Sequence, residues 1–451
     1  MNKNLIYNVK DKPKFSQLIV FAFQQLLAIL AATIAVPSIV GNGMSQSAAL
    51  FGAGVGTIVY LLFTKFNSPV FLGSSFAFLG SMFAAFGGAA SVSVGYAGLI
   101  LGAVFAGLVY VVIAIVVKIA GVRWIAKLMP PVVIGPTVAI IGLSLAGNAI
   151  GNSFGFGSPQ AGYTMSGALW VNLVCALVTL FTVIYFSVRG KKMLKLIPFI
   201  LGILAGYVAA LVFTLIGKAS GCQDLLILDF SAFSAMKWVP EFTFIEAFKG
   251  LDALDGKYIA TIAVAYVPVA FVVFAEHIAD HKNLSTIIGQ DLLENPGLHR
   301  TLLGDGVGSM VGAFFGGCPN TTYGESIGCV AITGNASVIT IFCTAIIAII
   351  ASFFGPLVTL LATIPSCVMG GVCITLYGFI AVSGLKMLQP VDLGDNRNLF
   401  TASVILICGI GGMTLKIGAV TLTEIACALI LGILVNFMLG GGKEKEKAKK
   451  K

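Results

Sequence analysis

Long apolar runs separated by short polar stretches fill almost the whole chain. Many of these runs approach the roughly 20 residues that a helix needs to cross a hydrocarbon core about 30 Å thick. The pattern predicts an all-α polytopic membrane protein. Fourteen spans are predicted, near residues 15–37, 48–64, 69–86, 93–118, 131–150, 166–187, 196–217, 257–280, 303–315, 320–332, 336–354, 366–388, 398–415 and 420–440.

Two of the predicted spans are interrupted by residues that break helices. The third contains the Gly/Ser-rich stretch Gly73–Gly80, and the tenth contains Cys318–Glu325, with proline, glycine and three hydroxyl side chains. Irregular backbone is tolerated at membrane depth only where it lines a cavity or contacts protein. We therefore expect the two broken spans to meet at a cavity near the midplane.

The broken spans lie seven spans apart, and a second pattern repeats at the same interval. Pro130–Pro136 opens the fifth span and Pro365–Gly371 opens the twelfth, with Pro, Val and Gly at matching places. An odd number of spans per repeat inserts the second copy upside down. The sequence therefore predicts a 7+7 inverted repeat of the kind found in secondary transporters.

Composition limits the function classes. The chain is 58% hydrophobic and 10% charged, and its mean hydropathy is +1.01. Transport proteins, channels and intramembrane enzymes are the classes that fit. The net charge of +9 does not require nucleic acid, because alternating the spans places most of the 27 basic residues on one face, including residues 1–14 and the tail 441–451. This bias predicts a multi-pass protein of the cell membrane with both termini cytoplasmic, and we expect the tail to be disordered.

Acidic residues are rare, so those inside the predicted spans are informative. No Asp or Glu occurs between Asp11 and Asp224. Glu276 and Asp280 are four residues apart and share a helix face. A charged side chain near the bilayer centre costs about 2.5–3.5 kcal/mol on insertion scales, so these carboxyl groups are expected to face protein or a cavity.

Glu325 lies at the break in the tenth span. A helix that begins there directs free backbone N–H groups and its positive dipole end into the cavity. Such donors suit ligand carbonyl oxygens, whereas carboxylates suit ligand N–H groups. The pattern favours a planar, neutral ring with alternating N–H and C=O groups, with Phe76 and Phe78 placed to lie against it.

Proton coupling is the mechanism that these acids suggest. When two carboxyl groups such as Glu276 and Glu325 share a buried site, one of them can bind and release a proton. No metal or other cofactor is needed, since the proton itself is the coupling ion.

Two other functions are also considered. His277 and His281 with Asp280 form a conceivable metal site for an intramembrane enzyme, but a third strong ligand at suitable spacing is missing. An anion exchanger or channel on the same architecture is disfavoured, because the expected site is acidic and no Lys or Arg lies at midspan. Asp305 is interpreted as the N-cap of the ninth span.

Five stretches resemble the nucleobase–ascorbate transporter family, and in particular its uracil permease branch. They are Gln24–Pro37, Phe71–Phe78, Ala275–Asp280, Asn295–Arg300 and Cys318–Gly328. The resemblance implies fourteen spans in a 7+7 repeat, with a short extended strand in spans three and ten. It also implies a core domain (15–128 and 257–355) and a gate domain (129–256 and 356–440), often in a homodimer.

The same resemblance implies the residues of the binding site. Glu276 and Glu325 would hold the ring nitrogens of the base, and backbone groups of Phe76 and Gly324 would bind its carbonyls. The other implied site residues are Tyr323, which shapes the pocket, and Ala32 and Tyr377. Asp280 is implicated in proton coupling, and we assign His277 to the same process.

Several positions depart from the family pattern. Ser326 stands where Asn is usual, Gly334 follows Thr333 in place of a basic residue, and Gln25 replaces a frequent His. Glu325 favours uracil, whereas Asp280 and Asp305 keep xanthine or another purine open. Proton-coupled uptake of uracil is the preferred interpretation.

Overall fold

The computed structural model describes residues 5–121, 129–156, 160–195, 197–417 and 420–449. Arg123 and Lys127, which belong to the basic face predicted above, lie outside the described residues, as do residues 1–4, 450 and 451.

Helices dominate the described chain. In the first half they are α1 (Phe15–Val40), α2 (Gln46–Phe63), α3 (Leu79–Gly87), α4 (Val92–Ala120), α5 (Pro131–Ser144), α6 (Ala146–Ser153), α7 (Gly167–Arg189) and α8 (Pro198–Ser220), and α9 (Thr243–Phe248) lies in the long loop that follows. In the second half they are α10 (Gly256–Ile288), α11 (Leu298–Gly316), α12 (Gly324–Thr333), α13 (Val338–Ser352), α14 (Gly355–Ala362), α15 (Ser366–Lys386), α16 (Asn396–Ile410) and α17 (Glu424–Lys449). The short strands are β1 (Leu72–Ser74), β2 (Asn320–Thr322), β3 (Leu415–Ile417) and β4 (Val420–Leu422).

The number of helices able to span a membrane alone is smaller than fourteen. Within the described residues, eight helical segments are long and apolar enough, or nine if α13 and α14, bent by 80° at a short break, form one span. The other predicted spans fall on shorter or more polar elements. The difference arises because Pro, Gly and polar residues divide these segments, as at the break before α12.

Helices pack mainly within two groups. In one group α11 packs against α2 and α4, and α13 packs against α1 and α2. In the other group α15 packs against α5, α6 and α7, while α16 packs against α5 and α17. The α2–α11 contact is close because glycines face each other: a Cβ at Gly56 would lie 2.7 Å from the carbonyl oxygen of Gly308.

The segment before α1 is attached to the end of α12. The Ile6 N–H donates to the carbonyl of Gly334 at 2.8 Å, and the Ala336 N–H donates to the carbonyl of Tyr7 at 2.9 Å. The Val338 N–H donates to the carbonyl of Val9 at 3.1 Å. These bonds satisfy backbone groups at the turn where α12 ends in the left-handed residue Gly334.

The last helix, α17, extends into the tail after residue 440. Helix α17 continues to Lys449, because the Lys, Glu and Ala residues of this segment are strong helix formers.

Candidate functional site

The two broken spans meet as an antiparallel strand pair. Strand β1 pairs with β2 in the register Leu72↔Thr322, Gly73↔Thr321 and Ser74↔Asn320. Surrounding helices satisfy the remaining polar groups: Asn320 donates to the carbonyl of Gly52 at 3.0 Å, and the Leu72 N–H donates to Thr57 Oγ1 at 3.0 Å. The sequence anticipated this meeting, and the irregular backbone is buried in protein.

A short helical segment follows each strand. The first half-helix, Phe76–Gly87, begins with a 3-10 turn at Phe76–Phe78. The second half-helix is α12, with Gly324 and Glu325 in its first turn. Apart from its chain neighbours and the backbone of its own helix, no heavy atom of the described residues lies within 4 Å of the position that a Cβ would occupy at Gly324. Open space therefore adjoins the first residue of α12, at the positive end of the helix dipole.

A cavity of about 60 Å³ lies at this junction. Its walls come from both half-helices, from β2, from α10 and from helices α5 and α15; they include Phe76, Thr322, Tyr323, Gly324, Glu276, Ile141 and Ile380. Pockets for small ligands usually measure about 300–1,000 Å³. The cavity is therefore smaller than such pockets usually are, and residues of α5 and α15 form part of its wall.

Of the carboxyl groups on α10 and α12, that of Glu276 lines the cavity, whereas Glu325, in the first turn of α12, is not among the lining residues. The two carboxyl groups are close enough to interact electrostatically. Asp280, one turn along α10, accepts a hydrogen bond from Thr322 Oγ1 at 2.8 Å and interacts with both glutamates. Asp280 therefore contacts the end of β2 and lies within electrostatic range of Glu276 and Glu325. The assignment of the two glutamates to a binding site stays a prediction.

Aromatic side chains close one side of the cavity. Phe76 packs edge-on against Tyr377, with ring centroids 6.1 Å apart at 76°. The Tyr323 hydroxyl donates to the carbonyl of Ser74 at 2.8 Å, and its ring occupies the space that a side chain at Gly73 would need. Tyr377 is buried in α15 behind Phe76.

Several expected residues, among them Phe78, Ala32 and Tyr377, are not part of the cavity wall. Phe78 stacks on Tyr266 with centroids 5.5 Å apart, so the expectation that it lies beside Phe76 against a bound ring is wrong. Ala32 is buried in α1 and is not among the residues that line the cavity.

His277 faces away from the cavity although its neighbour Glu276 faces it. Its Nδ1 lies 2.8 Å from Asp305 Oδ2, and its Nε2 lies 3.0 Å from Thr301 Oγ1. Adjacent helical residues point about 100° apart, which explains the divergence. Asp305 is not an N-cap: α11 begins at Leu298, directly after Pro296 and Gly297, so Asp305 lies two turns inside the helix.

The metal-site alternative has no geometric support. His281 Nε2 lies 2.7 Å from the Tyr60 hydroxyl, while His277 and Asp280 contact the separate partners given above. No group of three or more His, Cys, Asp or Glu residues in the described part of the chain is arranged to hold a metal ion.

Two departures from the family pattern contact each other. The Gln25 side chain on α1 donates to Ser326 Oγ on α12, and the same oxygen accepts the Phe71 N–H at 3.0 Å. Both side chains are buried. Sequence reasoning missed this link between α1, β1 and α12, and it missed Thr322 as the partner of Asp280. The only indication of these contacts in the sequence is that their polar residues interrupt apolar runs.

Antiparallel strands joining two half-helices around an acidic cavity, inside a bundle of membrane-length helices, are the arrangement of a membrane transport protein. Residues 16–418 match the family model Xan_ur_permease, described as the Permease family, and the chain belongs to this family. It is therefore a multi-pass membrane transporter and not an enzyme. The resemblance found in the sequence is confirmed at the level of the family.

Named relatives cover nearly the whole chain. A uracil permease from Bacillus caldolyticus is 42% identical over 444 residues, which cover 98% of this chain and 96% of the relative. A uracil permease from Bacillus subtilis is 38% identical over 450 residues, which cover 98% and 97%.

The fold also resembles a solved structure with little sequence similarity. The transmembrane domain of the cyanobacterial bicarbonate transporter BicA superposes with a TM-score of 0.61 at 16% identity, covering 96% of this chain and 100% of that chain. At this identity the likeness concerns the fold alone.

Proposed function

We propose that the chain imports uracil by proton symport. The observation that carries the proposal is the convergence of Glu276 with the first turn of α12 at one cavity. Glu276 and Glu325 accept hydrogen bonds from ring N–H groups, and backbone N–H groups near Phe76 and Gly324 donate to ring carbonyls. The two relatives named as uracil permeases support this choice of base.

Proton coupling follows from the cluster of acids. Glu276, Asp280 and Glu325 repel one another when all are ionised in a site shielded from water. Uptake of a proton relieves this repulsion, and a bound base that donates to the remaining carboxylates favours the same state. Asp280 communicates with the substrate strand through Thr322. His277 is proposed to take part from the opposite face of α10.

Alternating access is proposed to occur between a core domain (15–128 and 257–355) and a gate domain (129–256 and 356–440). The cavity wall supports this division, since Ile141 and Ile380 come from the gate and Glu276 from the core. Fourteen spans in a 7+7 inverted repeat, cytoplasmic termini and a homodimer belong to the same proposal. Movement of α5 and α15 would enlarge the cavity.

Two alternatives are tested by the same assay. A purine such as xanthine is the substrate if Asp280 and Asp305 set the preference. Anion exchange on this fold is less compatible with the site, because no Lys or Arg lies among the residues that line the cavity in the described part of the chain.

The test is uptake of labelled uracil by cells that express the protein, with and without a protonophore. We expect accumulation, its loss when the proton gradient collapses, and competition by excess uracil but not by xanthine, hypoxanthine or thymine. Equal competition by xanthine at the concentration used for uracil would show that the substrate is a purine and not uracil. Accumulation that survives the protonophore and requires sodium would contradict proton coupling.

A further inference from the structure

A second and smaller cavity lies between α4, α11 and β2. Its volume is about 10 Å³, the size at which a cavity holds a single water molecule. Tyr110, Asp305 and Thr321 are among its lining residues. Thr321 also lines the larger cavity, so one residue of β2 adjoins both.

Two polar atoms at this second cavity have no hydrogen-bond partner among the described residues: the Tyr110 hydroxyl and Asp305 Oδ1. The two residues are only 4% and 1% exposed. Buried polar atoms without a partner are rare in native proteins and often mark a water site. A hydroxyl group donates and a carboxyl oxygen accepts, so one water between them satisfies both.

The other carboxyl oxygen of Asp305, Oδ2, already has a hydrogen-bond partner. Asp305 Oδ2 and His277 Nδ1 are 2.8 Å apart, and His277 Nε2 contacts Thr301 Oγ1. The Thr301 hydroxyl donates its one hydrogen to the carbonyl of Leu298 at 3.0 Å. His277 Nε2 must therefore donate to Thr301, and a proton lies between Nδ1 and Oδ2 whichever of them carries it.

This geometry leaves the Asp305–His277 pair with a single open position. The hydrogen-bond chain through Thr301 ends at a backbone carbonyl, which cannot pass a proton onward. Asp305 Oδ1 is the one heteroatom of the two side chains that remains available in the described structure. Asp305 lines the second cavity, and so does Thr321.

We propose that one water molecule occupies the second cavity and is the route by which the Asp305–His277 pair exchanges a proton with the substrate cavity. A proton that reaches this water passes to Oδ1 while the shared proton moves fully to Nδ1, leaving a neutral carboxyl group beside an imidazolium. The reverse transfer returns the proton to the water. The inference rests on the proton coupling proposed above.

The groups around the pair suit this step. The carboxyl groups of Glu276 and Asp280, from α10, lie within electrostatic range of Asp305 and counter the added positive charge. From α4, the Tyr110 ring contacts His277 edge-on. The His281 ring is tilted by 30° against the His277 ring, with centroids 4.0 Å apart, and its nitrogens contact the His277 carbonyl and the Tyr60 hydroxyl of α2.

The test compares Tyr110→Phe with Tyr266→Phe in purified protein reconstituted into liposomes. Both tyrosines are buried, and both hydroxyls lack a partner in the described structure, but Tyr266 does not line the second cavity. Uracil exchange at equal pH on both sides should stay within about twofold of wild type in both variants. Accumulation driven by an inward proton gradient should fall about tenfold in Tyr110→Phe alone.

Four results would overturn the inference. Normal gradient-driven accumulation in Tyr110→Phe would remove the water from the proton route. Equal losses in both variants would assign the effect to packing. A sodium requirement that rises in Tyr110→Phe would make sodium the occupant. Wild-type protein that exchanges uracil but ignores the proton gradient would contradict proton coupling itself, and the inference would fall with it.

Discussion

The first half-helix, Phe76–Gly87, and the second, Gly324–Thr333, both follow a three-residue strand of one antiparallel pair. Only the second carries a carboxyl group. The first contributes an aromatic ring, Phe76, and backbone groups to the cavity, and the helix packed beside it, α4, contains no acid. The two repeats thus share a backbone plan but differ in chemistry.

This difference teaches how an inverted repeat acquires a polar ligand site without two sets of buried charges. Each buried carboxyl group costs free energy unless it is paired or hydrogen-bonded. Placing every midspan acid in the second repeat confines that cost to one side of the cavity. The first repeat contributes an aromatic ring and backbone groups, and the second contributes the carboxyl groups. The predictions below test this division.

Glu325→Gln should have the largest effect, because it removes the charge of the second half-helix. A hydrogen bond to a charged group contributes about 1.5–3 kcal/mol, which corresponds to roughly 10- to 100-fold in affinity. Uracil affinity of the purified protein, measured by calorimetry, should fall by that factor. Glu294→Gln, at an exposed position outside the cavity, is the matched control. Unchanged affinity in Glu325→Gln would remove this residue from the site.

Gly73→Ala tests the structural role of the first repeat. The added methyl group overlaps the Tyr323 ring, and overpacking of this kind costs about 1–3 kcal/mol. We expect transport to fall roughly tenfold. Gly87→Ala is the control, since no heavy atom of the described chain lies near the position of its Cβ. Equal activity of the two variants would show that the Tyr323 ring can move without consequence.

Thr322→Val tests whether Asp280 depends on the hydrogen bond that it accepts from the Thr322 hydroxyl of β2. The substitution keeps the shape and removes the 2.8 Å hydrogen bond. Proton-driven uptake should fall about five- to tenfold, since the carboxyl group loses a charge-assisted bond. Thr182→Val, whose hydroxyl bonds only within its own helix, should transport normally. Wild-type uptake by Thr322→Val would disconnect Asp280 from the substrate strand.

The Gln25–Ser326 contact should give the smallest effect, measured as a coupling of stabilities. Ser326→Ala leaves the Gln25 amide and the Phe71 N–H without their buried partner, at a cost of about 1–3 kcal/mol. A double-mutant cycle with Gln25→Ala should show a coupling free energy of about 1 kcal/mol in thermal unfolding of the purified protein. Strict additivity would mean that the contact is not energetically coupled.

Much of this site could be anticipated from residue type and position. An acid at a helix break and two acids on one helix face are costly in lipid, so membrane physics predicts that they face protein or a cavity, and Glu276 lines one. The seven-span interval between the broken segments likewise predicted that they meet. These inferences need only the local sequence and the free-energy cost of exposing charged or irregular segments to lipid.

Other features required three-dimensional contacts. Asp305 was interpreted as a cap because the helix start at Leu298 is hidden by the polar residues that follow it. The stacking of Phe78 on Tyr266 joins residues on separate helical segments, and the pairing of Gln25 with Ser326 spans 301 positions. Span counts were also less certain, since half-helices are too short for a hydropathy window.

The bonds between residues 6–9 and the turn after α12 have a practical consequence for making the protein. A fusion tag placed at the beginning of the chain would lie close in sequence to residues 6–9, which form backbone hydrogen bonds at the C-terminal end of α12. Deleting that stretch would leave the carbonyl of Gly334 and the N–H groups of Ala336 and Val338 without these partners. An affinity handle attached after Lys451 would leave the bonds of residues 6–9 unaltered.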